Sequence, residues 1–467
     1  MFAQIFTTFR NSFKIEELRK RIIFAAWILV VCRFIAIIPI PGLDSAQLTE
    51  FIAEQAKKEA SGNILGLFNM FTGGALAKCA IGSLGIMPYI TATIIIQLLS
   101  AVIPQLSKIT REEGGRVKIM QYSRILTVLL CLGQGAVMAL AWLKPGVMFP
   151  GFTGDLVIVE NKFVYVVGTT LFLTTGTLLL MWLGEQITER GIGNGISLII
   201  TIGIISSLPQ TFQMLSYMFF PPEGADTDFK LIHGIVLVLL LVAVVAGVIA
   251  ITQAQRRIPV QYAQRSVGRR VVPAGTSYLP LKVNMAGVMP IIFAQALLMF
   301  PQQIFTMLGE RFDNGFFKDL AYHFEMTSFV YILAYALLIL FFSYFWVSTQ
   351  FNEIQIADDL KRNGGYIPGV RPGKATTVFL HNTMSRITLA GAVFLTVIAI
   401  IPFMLANSWN IPFVVSQFFG GTSVLITVGV MLDTTRQLES HLKTRHYDGF
   451  GKKGKGSGKG PRLRGRN

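Results

Sequence analysis

Charge is scarce in this chain. Of its 467 residues 14% are Asp, Glu, Lys or Arg and 52% are hydrophobic, whereas soluble domains carry roughly 25% charged residues. A soluble globular fold is excluded, and an all-α polytopic membrane protein is expected. Cysteine is scarcer still. Cys32, Cys79 and Cys131 each lie in an apolar run, spaced for neither metal ligation nor a disulfide framework. They read as small buried hydrophobes. The histidines are scattered, and no cysteine lies near His381, His441 or His446 to complete a metal site. Neither H-E-x-x-H nor G-x-S-x-G occurs. Gly191 to Gly195 imitates a dinucleotide loop, but it follows no strand and opens an apolar run. Gly449 to Lys455 spells G-x-x-x-x-G-K, yet Gly456 stands where Ser or Thr would hold a magnesium ion. No enzymatic activity, cofactor or metal is expected. A cleavable signal peptide is not expected either, because residues 1–21 are polar and end in Arg19-Lys20-Arg21. Ionisable groups are rare inside the apolar runs, which argues against ion-coupled transport. Arg33 is the main exception, read as a snorkelling or interhelix-bonded arginine.

What the chain does have is apolar length. Ten runs can each cross a membrane, near 22–40, 76–103, 120–142, 163–183, 192–212, 230–251, 285–307, 328–350, 386–406 and 411–432. Taking the N-terminus and every second connection as one side, that side carries 32 Lys and Arg and the opposite side 7. Acids are not biased, at 12 and 13. The positive-inside rule makes the basic side cytoplasmic, with both termini there. Four regions follow: a cytoplasmic segment 1–21, a first half 22–212, a second half 213–432 and a basic cytoplasmic tail 433–467. Five spans per half invert the second half relative to the first. An inverted repeat puts a pathway at the interface between halves.

Residues Ile64 to Ile103 are too long for one span. As a single helix they would extend about 60 Å against a hydrocarbon core of roughly 30 Å. The first part is glycine-rich and carries Asn69 and Thr72; the second is dense in isoleucine. A short half-helix, a break near Gly73-Gly74 and then a full span solves the length. A broken helix at membrane depth must be buried in protein or line a watery cavity. The alternative is a surface amphipathic helix preceding a span. Two cytoplasmic loops are long. Residues 252–284 carry Arg256, Arg257, Arg265, Arg269 and Arg270 with no acid, and 351–386 carry Arg371 framed by Pro368-Gly369 and Pro372-Gly373. Basic loops serve topology and anionic lipid, and an acid-free arginine cluster also suits RNA phosphate. The Pro-Gly frame reads as a shaped projection.

The segments FNMFTGGAL (68–76), GIMPYI (85–90), MWLGEQITERGIGNGI (181–196), LPLKVNMAG (279–287), PGVRPG (368–373) and GGTS (420–423) resemble the bacterial SecY family, the central subunit of the Sec protein-conducting channel. The match runs from about residue 10 to 445, in order. The resemblance implies an hourglass channel that carries unfolded secretory polypeptides across the bacterial inner membrane and releases transmembrane segments sideways. It implies a plug at residues 61–75, including Asn69, Phe71, Thr72, Gly73 and Gly74. It implies a pore ring of Ile86, Ile90, Ile196, Ile200, Ile292 and Ile426. The pairs 86/90 and 196/200 are spaced i,i+4, so each pair shares a helix face. It implies a lateral gate between spans two/three and seven/eight with Gln97, Thr422 and Phe300. It implies that Arg371 contacts the SecA motor ATPase, and that Arg269 and Arg270 contact SecA or the ribosome and its rRNA. The implied partners are SecE, SecG, SecA, the ribosome, secretory and membrane-protein precursors, and anionic lipid. An inverted-repeat solute transporter is the competing reading, and it would need fixed polar groups where isoleucines are expected.

Topology is directly testable. A cysteine placed at Gly268 or Gly364 is expected to resist an impermeant thiol reagent in intact cells and to react after lysis. Labelling from outside would refute the span count.

Overall fold

The computed structural model describes residues 13–452 apart from 14, 59–68, 112–113, 146–151, 153, 155, 221–228, 230, 263–264, 268–269, 273–274, 313–314, 326–327 and 410. The expected spans fall on helices: α1 (Glu16–Ile35), α3 (Met87–Val102), α5 (Gly115–Leu143), α6 (Lys162–Arg190), α7 with α8 (Gly195–Ser206, Leu208–Phe219), α9 (Leu231–Gln253), α10 (Met289–Phe312), α12 (Phe329–Gln350), α14 (Lys374–Trp409) and α15 with α16 (Phe413–Gly420, Thr422–Lys452). The shorter helices are α2 (Ser45–Lys58), α4 (Pro104–Arg111), α11 (Gly315–His323) and α13 (Glu353–Arg362). Among the described residues six helices are long and apolar enough to cross a membrane on their own, and Met87–Val102 and Met289–Leu298 are shorter apolar helices.

Helix starts and breaks follow local chemistry. Asn161 caps α6 and Asn194 caps α7 with side-chain oxygens that accept two backbone N–H groups each. Ser207 and Pro209 divide α7 from α8, with Pro209 in the first turn, where a missing N–H costs nothing. Gly421 divides α15 from α16 because a Cβ there would stand 2.5 Å from the Gln417 carbonyl oxygen. The second span differs from its expected start at residue 76. Residues 72–86 form turns, with Gly73, Gly74, Cys79 and Gly85 all at positive φ, and the helix begins at Met87 with Pro88 in its first turn. Left-handed backbone cannot continue a right-handed helix.

The two long loops are more ordered than the sequence reading had them. Residues 252–284 form an antiparallel hairpin, β1 (Gln255–Tyr262) with β4 (Gly275–Lys282), tipped by β2 (Arg265–Val267) and β3 (Arg270–Val272). A short strand β5 (Gly365–Tyr366) from the other loop adds to β1. Ile258, Val260 and Leu281 bury one face of this sheet against Phe351, Ile367, Leu380, Met384 and Ile387. The helical class is thus decorated by one small sheet that joins both loops into a platform.

Membrane-depth packing centres on one apolar cluster drawing on α1, α3, α5, α6, α7, α9, α10, α12, α14 and α16. Many residues on the outer faces stay exposed and apolar, including Ile235, Val238, Leu239 and Val242 on α9, as a lipid-facing surface requires. The start of α1 meets the middle of α16 through Leu18, Ile192 and Leu438.

Candidate functional site

The expected ring isoleucines sit near the starts of four helices. Ile86 is the N-cap residue of α3, and the Ile90 N–H donates to its carbonyl at 3.2 Å, so the two share one face. Ile196 and Ile200 occupy the first turns of α7. Ile292 lies in the first turn of α10, its N–H on the Val288 carbonyl at 3.4 Å. Ile426 follows Thr422, the first residue of α16, by four positions. Ile86, Ile90, Ile200, Ile292 and Ile426 are buried in the central apolar cluster, and the half-buried Ile196 packs against it. Phe71 belongs to the same cluster.

The segment 69–76 packs beside that centre, with Ser423 Oγ donating to Met70 Sδ at 3.5 Å. Residues 61–68 of the expected plug lie outside the described residues. From Asn69 onward the chain makes a last helical turn and breaks at Gly73 (φ +68) and Gly74 (φ +84). Asn69 organises the break: its carbonyl accepts from Gly74 N–H at 2.7 Å and Thr72 Oγ1 at 3.1 Å, and its Oδ1 accepts from Ala77 N–H at 3.0 Å. Asn69, Phe71 and Thr72 are buried. Arg33 is half-buried in the last turn of α1 and donates from Nη1 to the Gly73 carbonyl. It is interhelix-bonded, the second of the two readings its position allowed. An arginine at membrane depth costs about 2.5–3.5 kcal/mol. A charge-assisted hydrogen bond contributes about 1.5–3 kcal/mol, so the bond roughly offsets the cost and fixes position more than it adds stability.

At the expected gate, α3 packs directly on α10. Gln97 is half-buried on α3 and makes no side-chain hydrogen bond among the described residues. Phe300 lies in α10, and its side chain is outside the described residues. Thr422 is fully buried and belongs to a relay that includes two glutamines absent from the sequence reading. Gln295 Nε2 on α10 donates to Thr422 Oγ1 at 3.2 Å, and Thr422 Oγ1 donates to Gln417 Oε1 on α15 at 2.9 Å. Gln295 Oε1 and Gln417 Nε2 are buried without partners among the described residues. The relay therefore ties α10 to the α15–α16 break, and the structure does not pair Thr422 with Gln97. Two glutamines inside apolar runs were the available signal.

On the platform, Arg371 is exposed on a loop shaped by Gly369 (φ +80) and Gly373 (φ +98). The Val370 N–H donates to the Ile367 carbonyl at 3.0 Å and Thr376 Oγ1 to the Arg371 carbonyl at 3.0 Å, which aims the residue. Arg270 opens β3, opposite Val267. Arg269 lies outside the described residues. Arg371 and Arg270 thus lie on the sheet platform, outside the central apolar cluster.

Comparison with known proteins bears on the whole arrangement. Residues 80–435 match the family model described as SecY. A protein translocase subunit SecY of Chlamydia muridarum is 41% identical over 458 residues, covering 97% of this chain and 99% of that one. The corresponding Escherichia coli K12 subunit is 40% identical over 438 residues, covering 94% of each. Among solved structures, one described as a protein-conducting channel superposes with a TM-score of 0.57 at 20% identity, covering 90% of this chain and 91% of that one. Sec61 in the canine ribosome–channel complex from the endoplasmic reticulum gives 0.53 at 19% identity over the same shares. At that identity the likeness establishes the fold.

The relay can be tested by stability. Thr422→Val strands both glutamines and is expected to destabilise the purified protein by about 1–3 kcal/mol, read as a lower thermal midpoint in detergent. Replacing Gln295 and Gln417 by Leu in the same variant is expected to restore most of the loss, because no buried donor or acceptor then lacks a partner.

Proposed function

The chain belongs to the SecY family, and from that membership we propose how its interior and its platform work. It is a protein-conducting channel subunit of a translocase and not an enzyme; the solute-transporter reading falls. Unfolded polypeptides cross the membrane through it, and transmembrane segments leave it sideways. In our reading Ile86, Ile90, Ile196, Ile200, Ile292 and Ile426 form the constriction. A narrow apolar ring resists wetting and ion passage, while deformable side chains can close around a passing chain. Residues 61–75 act as a plug over the ring. The seam between α3 and α10 is the lateral gate, with Gln97, Phe300 and Thr422 along it. The halves 22–212 and 213–432 move against one another about that seam.

The observation that carries this reading is the convergence of isoleucines from four separate helices, with Phe71 of the adjoining segment, in one apolar cluster. Polar groups stand beside the cluster and not within the ring positions. A passing chain needs no specific recognition there, whereas a solute site needs fixed polar contacts.

The subunit works in a translocon with partner subunits. We assign these as SecE and SecG, with SecA and the ribosome docking on the sheet platform through Arg269, Arg270 and Arg371. The fold shared with a ribosome-bound Sec61 channel supports the ribosomal partner. The charge bias supports a bacterial inner-membrane location with both termini cytoplasmic, and contact of the basic side with anionic lipid. Motive energy comes from a partner, since the nucleotide-loop imitations in this chain lack the required residues.

Two measurements test the reading. Deleting residues 64–72 is expected to preserve the fold and raise ion leak in planar bilayers. Ile86→Asn with Ile426→Asn is expected to raise leak further and to pass precursors with defective signal sequences. Unchanged conductance after the deletion would overturn the plug assignment. Separately, Arg371→Glu is expected to abolish SecA-driven uptake of a precursor into vesicles with little loss of folded protein; normal uptake would remove Arg371 from the motor contact.

A further inference from the structure

Segment 69–74 makes few hydrogen bonds to the rest of the molecule. Of the hydrogen bonds made by residues 69–74, those from Gly73 N–H, Gly74 N–H and Thr72 Oγ1 stay inside the segment, and that to Ala77 N–H reaches only the next turn. Such bonds travel with the segment if it moves. Among the described residues two bonds cross to the surrounding helices. Ser423 Oγ donates weakly to Met70 Sδ at 3.5 Å, and Arg33 Nη1 donates to the Gly73 carbonyl at 2.5 Å. Beyond these bonds Met70 and Phe71 are buried, Phe71 in the central apolar cluster, and glycines let backbone approach closely. A Cβ on Gly203 of α7 would stand 2.7 Å from the Phe71 carbonyl oxygen. A Cβ on Gly73 would collide with Arg33 Nη1 and stand 2.9 Å from Ser206 Oγ.

We propose that Arg33 is the positioning residue that holds segment 69–74 in its closed seat, through the single bond from its guanidinium to the Gly73 carbonyl. This rests on reading the segment as the plug. The chemistry suits a releasable hold. Arg33 pairs with no carboxylate among the described residues, so its charge is directed at a neutral carbonyl. Gly73 carries that carbonyl where the helix has ended, so no intrahelical N–H competes for it. Its left-handed φ turns the peptide away from helical continuation. Contacts at Gly203 and Ser206 are dispersive and let the segment slide, whereas a charged, directional bond gives the seat one defined register.

The test uses the full chain reconstituted with its partner subunits. Met70→Cys with Ser423→Cys reports the seat, since these side chains touch in the closed arrangement. Their disulfide is identified by mass spectrometry after brief oxidation. Arg33→Met, similar in length but uncharged, is expected to lower the yield of that disulfide several-fold and to raise ion leak. Arg33→Lys, which keeps a charged donor, is expected to fall between wild type and Arg33→Met. In a chain lacking residues 64–72, Arg33→Met is expected to add no further leak. An unchanged disulfide yield in Arg33→Met overturns the proposal. So does an equal added leak in the deleted chain, which would make Arg33 a support of the wall. Should Arg33→Met fail to accumulate, Arg33→Gln is judged by the same disulfide yield. The plug reading fails separately: if the deletion leaves leak unchanged while Arg33→Met still loosens the disulfide, the tether stands and the seal does not.

Discussion

Backbone that leaves a helix inside hydrocarbon must find its hydrogen bonds within the protein, because each unmet group costs several kcal/mol there. Residues 69–86 are where this chain meets that constraint. Ile40 N–H donates to the Cys79 carbonyl, Ile81 N–H to the Ile38 carbonyl and Gly82 N–H to the Ile35 carbonyl, so the strand-like end of α1 serves as partner to the turn. Ser83 Oγ bonds the carbonyls of Ala75 and Ala80, and Thr49 Oγ1 on α2 bonds that of Ala77. A Cβ on Gly176 of α6 would overlap the Ile81 carbonyl, so α6 closes the other side. With its bonds met this way, the chain can start α3 late, at Met87. That late start puts Ile86 and Ile90 at the centre instead of at a membrane surface.

The same logic sorts the polar groups around that centre. The ring positions are apolar, and the hydrogen-bonding capacity lies beside them: Asn69 under the break, Arg33 on the first-half side, Gln295 with Thr422 and Gln417 on the second-half side. An incompletely satisfied relay is less stable than a fully bonded one, since a buried unmet amide group costs about 1–3 kcal/mol. Gln295 Oε1 and Gln417 Nε2 are such groups. The bond that joins α10 to the α15–α16 break therefore carries a penalty alongside its gain.

Much of this was legible in the sequence. Apolar length located the helices, since lipid leaves few other ways to satisfy a backbone. Gly73-Gly74 marked the break because consecutive glycines were the cheapest route to positive φ. Other features were hidden. The alternation Ile258, Val260, Tyr262 signals a strand, but proximity to arginines made 252–284 read as a basic loop; the hairpin becomes stable only against Phe351, Leu380 and Met384, which lie far along the chain. Gln295 and Gln417 looked like isolated polar residues in apolar runs, because their partner lies on another helix. Arg33 could be read as snorkelling or bonded, and only the position of the Gly73 carbonyl decides. The ring itself is invisible without the family, because isoleucine fills any span.

One helix joins these parts. The start of α16 supplies Thr422, Ser423 and Ile426 to the centre. Further along, Gln437 Oε1 accepts from Gly193 N–H in the first half at 2.9 Å, and Arg436 Nη2 donates to the Thr252 carbonyl in the second half at 2.7 Å. Thr252 ends α9 immediately before β1, and β4 leads into α10 through residues 283–288 alone. Val283 N–H is bonded back to the Ala254 carbonyl at 2.9 Å, and Gly391 of α14 lets the Val283 carbonyl approach closely. The hairpin base is thus rigid and short. The relay and the hairpin base both join α10 and α16. Among the described residues the first half meets them along the α3–α10 seam, where α7 packs on α16, at the Gln437–Gly193 bond, at the Leu18–Ile192–Leu438 cluster and at the segment bonded to Arg33. Of these, the helix–helix contacts are continuous with the packing of both halves, whereas segment 69–74 hydrogen-bonds to the surrounding helices through Arg33 and Ser423 alone among the described residues.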